Sequence, residues 1–235
     1  GGSSAVCELA NTSEIASTFD SSSNKVIVAY RDRGNSDYGT VVVGEISGSS
    51  VSFGTPVVFD SYDSDQLSIT YDSNADKVLI VFSRDSGPYK AGKAVVGTVN
   101  ASSITLGSVT EFEAATTTHT SCTFDSTANK VIIVAKSATN SYQFVLAATI
   151  SGTSVSFGSA TSLENGDNSN CNYDADSDKT IITYRDSSNR PRAIVASLSG
   201  TTVSVGSVIS VSDDSSTYPV STIDTNLNRV VFAWV

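Results

Sequence analysis

The chain has 235 residues, 39% hydrophobic and 16% charged, a globular balance that excludes a disordered chain. A formal charge of −10 excludes attraction to a nucleic-acid backbone or an anionic membrane, and no apolar run approaches the ~18 residues of a membrane helix. With 43 Ser and 25 Thr, the composition disfavours helices and suits strands and turns.

Taken in chain order, one phrase recurs: an aromatic or aliphatic residue, Asp, a polar turn, Lys or Arg, then an apolar run. It runs from Phe19-Asp20 to Lys25, Tyr71-Asp72 to Lys77, Phe124-Asp125 to Lys130, Tyr173-Asp174 to Lys179 and Ile223-Asp224 to Arg229. The Asp residues are 52, 53, 49 and 50 apart, which marks tandem repeats. Each repeat predicts four strands. The first (15–20, 67–72, 120–125, 169–174, 219–224) is small and polar, and its closing Asp suits a turn in which the carboxylate accepts backbone amides two residues on. The second follows the basic residue, as in 25–31. A loop leads to the third, and a Ser-Gly-Ser-Ser type hairpin to the fourth. The third-and-fourth-strand wording is VVVGEISGSSVSFGT at 41–55, with counterparts at 94–108, 145–159 and 193–207, and Gly54, Gly107, Gly158 and Gly206 form one column.

Strands with one wet face alternate apolar and polar residues, whereas 130–135 reads KVIIVA, apolar on both faces. Sheets covered on both sides and repeated every ~50 residues predict an all-β, five-bladed β-propeller of four-stranded antiparallel blades, one domain over 1–235 with repeats beginning near 15, 67, 120, 169 and 219. The fifth repeat ends after its second strand. Gly2–Cys7 aligns with Gly54–Phe59, so the last blade is expected to be split between the termini and incomplete. A fragment of a longer array is the alternative, and the absence of Met marks a mature or excised segment.

The wording NKVIVAYRDRGNSDYGTVVVGEISGSSVSFG at 24–54 resembles propeller repeats of uncharacterised marine microbial and phage-associated proteins. Size and repeat number also resemble the five-bladed tachylectin-type lectins, which implies amino-sugar binding between blades. Those lectins are rich in Trp and this chain has only Trp234, so no binding residue carries over.

The loops between second and third strands, and the crossings from fourth to first, are the most varied segments and the expected place for function. Arg31, Asp32, Arg84, Asp85, Lys136, Arg185 and Asp186, with Tyr38, Tyr89 and Tyr142 as stacking faces, form a candidate ligand-binding set, because guanidinium forks and carboxylates bind sugar hydroxyls. The competing reading is that each Arg-Asp step orders its own loop. Asp60, Asp63 and Asp65 alternate as in a calcium loop, but the central Gly and terminal Glu of that pattern are missing, so no metal is assigned. No cofactor is expected. The lone His119, in a Thr-rich crossing, excludes a multi-histidine centre. Glu14, Asp65, Glu113 and Glu164 are the carboxylates that a five-bladed glycosidase would use. Cys7, Cys122 and Cys171 read as free thiols. The expected function is non-catalytic recognition of glycans or a surface protein, at a cell or particle surface, without nucleic acid or membrane insertion. A structural domain of a larger surface or tail-like protein is the alternative, and a glycosidase the third. Oligomeric state is left open.

Overall fold

The computed structural model describes residues 5–215 and 217–235. Its described residues are strand and turn, with one 3-10 turn at Arg33–Asn35 and no α-helix. The first repeat holds β1 (Thr12–Asp20), β2 (Lys25–Asp32), β3 (Tyr38–Ser47) and β4 (Ser50–Phe53). The second holds β5 (Val57–Asp72), β6 (Lys77–Asp85), β7 (Lys90–Asn100) and β8 (Ser103–Leu106). The third holds β9 (Thr110–Asp125), β10 (Lys130–Ser137), β11 (Tyr142–Ser151), β12 (Ser154–Phe157) and β13 (Thr161–Ser162). The fourth holds β14 (Gly166–Asp174), β15 (Lys179–Asp186), β16 (Pro191–Ser199), β17 (Thr202–Val205) and β18 (Ile209–Ser210). The fifth contributes the hairpin β19 (Val220–Asp224) and β20 (Arg229–Ala233).

Two compact units result, Gly1–Ala114 with Ile150–Val155 and Ala115–Thr149 with Ser156–Val235. In the first, antiparallel pairing runs β1-β2-β3-β4 and β5-β6-β7-β8; in the second, β14-β15-β16-β17 repeats the pattern. Every first-to-second-strand turn is built alike. Asp72 accepts the amides of Asn74 and Ala75 at 2.9 Å each, and Asp125 those of Thr127 and Ala128 at 3.0 and 2.8 Å. The turn then closes through a left-handed residue (Asn24, Asp76, Asn129, Asp178 and Asn228, φ 48–58°), and Asn and Asp tolerate that conformation best among non-glycine residues. This is the physical content of the recurring Asp.

Second and third strands are buried on both faces in the second and third repeats. Val78 to Phe82 are all at 0% exposure, and Val131 to Ala135 at no more than 1%. Side chains of alternate parity therefore serve two different neighbours. In the first unit Ile27, Ala29, Val41 and Val43 of the first repeat pack on Ile69, Val78, Ile80, Val95 and Ile104 of the second. In the second unit Ile132, Val134, Val145 and Ala147 pack on Ile182, Ile194, Ala196 and Val203. The first strands meet differently. Ser121 and Thr123 accept the amides of Cys171 and Tyr173 at 3.1 and 3.2 Å, and Asn170 accepts that of Ser221 at 3.2 Å. Their small polar side chains thus satisfy backbone donors that no strand partner reaches.

The structure departs from the sequence reading in three respects. The crossings expected as loops at 60–66 and 113–120 lie inside the 16-residue strands β5 and β9. In β5, Val57–Asp63 pairs with β3 before Asp63–Asp72 pairs with β6, with register shifts along the way. The fourth strand is broken into two pieces, Ser50–Phe53 and Val57–Asp60 in the first repeat, with the Gly54 amide between them still donating to the Val43 carbonyl at 2.9 Å. The expected completion of the last repeat by Gly2–Cys7 falls partly outside the described residues, and Ala5–Asn11 contain no strand.

At Gly54, Gly107 and Gly158 the carbonyls of Ser102, Thr153 and Thr201, at the hairpin tip of the following repeat, occupy the space a Cβ would need. At Gly206 the nearest atom is the chain's own Val195 carbonyl at 3.5 Å. Gly54→Ala and Gly158→Ala should each cost about 1–3 kcal/mol by overpacking, whereas Gly206→Ala should stay within about 0.5 kcal/mol of the parent. Denaturant midpoints compared across the column test this directly.

Candidate functional site

A left-handed residue interrupts the first strand of four repeats: Glu14, Gln66, His119 and Asn168, φ 51–55°. Each lies six residues before the turn Asp, and each coincides with a register shift against the second strand. These are β-bulges, which re-aim side chains at sheet rims. Within the first unit the Glu14 carboxylate accepts the Gln66 amide at 3.1 Å; within the second Asn168 donates its Nδ2 to the Thr217 carbonyl at 2.7 Å. Sequence reasoning placed these residues in loops. The signal that would have found them is a polar column in step with the Asp column.

The candidate residues gather beside the bulges, but not in the pairs their adjacency suggests. Neighbours on a strand point to opposite faces, so Arg31 and Asp32 find different partners. Asp32 is buried and caps the Arg33–Asn35 turn by accepting the Gly34 amide at 2.9 Å. Arg31 extends Nε to Asp37 and Nη2 to Asp63, both at 2.9 Å, and Nη1 to Asp65. Lys90 adds a bond to Asp65 at 2.8 Å and a looser one to Asp85 at 3.5 Å. Two cations thus face four carboxylates. Burial works against the Arg31 charge, but Asp65, Asp63 and Asp37 hold its pKa above the usual value. Burial pushes Asp63 up, Arg31 opposes it, and Asp65 and Asp37 add to it. Asp63 Oδ1 is buried without a hydrogen-bond partner. Tyr38 lies opposite both Asp32 and Asp63 in the sheet, and Tyr89, just before Lys90, is 54% exposed.

Arg84 closes a guanidinium fork on the buried Asp60, Nε to Oδ2 at 2.8 Å and Nη2 to Oδ1, and sits 4.9 Å over the Tyr62 ring. In the second unit Arg185 forks onto Asp167 at 2.7 and 2.8 Å. Burial opposes the Asp167 charge, and the hydrogen bonds and charge of Arg185 outweigh it, lowering the pKa. Asp186 instead orders its own loop, accepting amides of Ser188 and Arg190 at 2.8 and 2.9 Å and pairing with Arg192 at 2.9 Å. Lys136, next to last in β10, lies opposite Gln143 and Thr118, and Tyr142 tilts against Phe144 at 6.0 Å. So the arginines reach first-strand or crossing carboxylates, while Asp32 and Asp186 shape turns.

The acidic candidates for metal binding, Asp60, Asp63 and Asp65, are each engaged by Arg84, Arg31 or Lys90. Among the described residues no group of His, Cys, Asp and Glu has a metal-binding arrangement. Of the carboxylates a glycosidase would use, Glu14 and Asp65 are bonded as above, and Glu164 accepts from the Tyr184 hydroxyl at 3.4 Å. Cys171 is a free thiol pushed up to about 12 by burial.

No family model matches the chain, and no curated protein does. Solved structures do. A protein from Lactobacillus plantarum superposes with a TM-score of 0.65 at 12% identity over 97% of this chain and 66% of its own. An exo-β-1,3-galactanase from Phanerochaete chrysosporium gives 0.57 at 10% over 94% and 59%, and the Aleuria aurantia lectin 0.55 at 13% over 95% and 72%. The fold is a β-propeller. The chain spans about two thirds or less of the length of the first two. At these identities the likeness concerns the propeller scaffold, on which unrelated sites are built.

His119, at the bulge of the third repeat, lies in the field of Asp167, Lys136 and Arg185. Burial pushes its pKa below 6.5; Asp167 opposes this, and Lys136 and Arg185 reinforce it. A folded-state pKa below the unfolded one means that the unfolded chain takes up the proton first. The stability from neutral His119 is therefore complete above the unfolded value and is lost as pH falls through the folded one. The parent should lose thermal stability relative to His119→Gln as pH drops below about 6.5. Melting curves of both proteins between pH 7.5 and 5 check the sign.

Proposed function

We propose that this chain is a non-catalytic recognition module, a single five-bladed propeller domain that binds carbohydrate at a cell or particle surface. The observation that carries the reading is the Arg31 cluster. It holds a fixed guanidinium and several carboxylates at a bulged rim, and has the exposed Tyr89 ring next in sequence to Lys90. Sugar hydroxyls both donate and accept, so a mixed array of carboxylates and cations suits them, and an aromatic face suits the apolar side of a pyranose. Lys136 with Tyr142 occupies the corresponding position in the third repeat and would give a further weak site that adds through multivalency, while the Arg84 and Arg185 forks on Asp60 and Asp167 brace the rim.

Known neighbours of the same fold support a carbohydrate ligand: the Aleuria aurantia lectin is described in complex with a fucoside, and the galactanase with galactose. The engagement of Glu14, Asp65 and Glu164 favours binding over hydrolysis, since a general acid and its partner must be free to exchange protons. A glycan array is expected to return at least one ligand. Its affinity should fall about tenfold or more in Tyr89→Ala and Arg31→Ala, each shown folded by its melting curve. No bound glycan, or hydrolysis of a galactan or fructan that is lost in Glu14→Gln, overturns the proposal.

A further inference from the structure

The rim of the second unit repeats the plan of the Arg31 cluster with the sign of its charge reversed. Arg31 and Lys136 each lie six residues after the Lys that opens their second strand, and Asp65 and Asp167 each lie seven before their turn Asp. In both units that Asp stands between two cations. Asp65 bonds Arg31 and Lys90, while Asp167 is forked by Arg185 at 2.7 and 2.8 Å and lies in the field of Lys136. The other three carboxylates of the first cluster have neutral counterparts. Ser141 precedes β11 as Asp37 precedes β3, both left-handed at φ 53 and 61°. Asn165 holds the position of Asp63, counted back from the turn Asp, and Ser187 that of Asp85, counted from the opening Lys. Two cations face four carboxylates in the first unit, and two face one in the second.

Nearby acids do not restore the balance. Asp186 pairs with Arg192 at 2.9 Å, and Glu164 accepts from the Tyr184 hydroxyl at 3.4 Å. Among the described residues no carboxylate forms an ion pair with Lys136. Alternate residues of a strand share a face, so Lys136 lies on the side of β10 that carries Ile132 and Val134, which pack on the fourth repeat. The half-buried ammonium thus belongs to the seam between the third and fourth repeats, with Ser141 and Asn165 exposed on the loops beside it.

We infer that this seam takes an acidic sugar, a glycan residue that carries a carboxylate. The inference rests on the reading of the chain as a carbohydrate-binding module and names the sugar class of one of its sites. The first repeat shows which group meets a cation at this position: Asp37 and Asp63 supply carboxylates to Arg31, and the ligand supplies one to Lys136. A hydroxyl at Ser141 and an amide at Asn165 donate to an incoming carboxylate where aspartates would repel it. The Arg185 fork engages both oxygens of Asp167, which leaves Lys136 to the external anion. With a net charge of −10 the chain repels a long polyanion, so the fitting ligand is a glycan with one acidic residue or few.

The probes are short oligosaccharides ending in one glucuronate, galacturonate or sialate residue, each beside its carboxyl methyl ester. They are titrated into the full chain by calorimetry well above the His119 pKa, so that this neighbour of Lys136 stays neutral. At least one acid is expected to bind about tenfold or more tightly than its ester. The preference should vanish in Lys136→Gln. It should vanish too when Ser141→Asp and Asn165→Asp are combined, which places the first cluster's carboxylates at two exposed positions, and it should persist in Arg31→Ala. Melting curves show each variant folded. The inference is overturned if no acid is preferred to its ester, if Lys136→Gln keeps the preference, or if a sulfated neutral saccharide binds as tightly as the acid. Neutral glycans that bind through Arg31 and Tyr89 while no acid is preferred overturn this inference alone. If no glycan of either kind binds, the recognition reading falls with it.

Discussion

Two-sided burial of the second and third strands is the constraint on which the rest of this protein depends. A strand such as Val78–Phe82, inaccessible on both faces, is stable only between two other sheets, and each of those sheets inherits the same requirement. Burial of apolar area is non-directional and large, so it sets how closely repeats approach. Direction comes from smaller features: glycines that admit a hairpin tip, and hydroxyl or amide side chains on the first strands that accept the next strand's amides.

The same constraint explains where variation is tolerated. Turn aspartates and apolar runs recur because each repeat must fit its neighbour, whereas the bulge column reads Glu, Gln, His and Asn. A bulge leaves one residue outside the ladder, so its side chain follows local partners, as in the Asn168 bond to the Thr217 carbonyl, and not the strand's alternation. Around it the ion pairs divide in kind. The Arg84–Asp60 and Arg185–Asp167 forks tie crossing or first strands to second strands, while Arg31 collects three carboxylates. A fork that saturates both partners serves the scaffold.

Strand composition, the Asp-led turns and the two-sided burial were legible in the amino-acid order, because they depend on neighbours within ten residues or on a period that self-comparison reveals. Which carboxylate each arginine would meet was not. Arg31 joins Asp63 and Asp65 across 32 and 34 residues, and Arg185 joins Asp167 across 18, while the adjacent Asp32 and Asp186 turn to their own loops. Adjacent positions on a strand project to opposite faces, so proximity in sequence misleads there, and only the fold decides which side chains share a face. The bulges were hidden for a related reason: a left-handed residue within a polar run has no distinctive composition, and its position follows from the register that tertiary packing imposes.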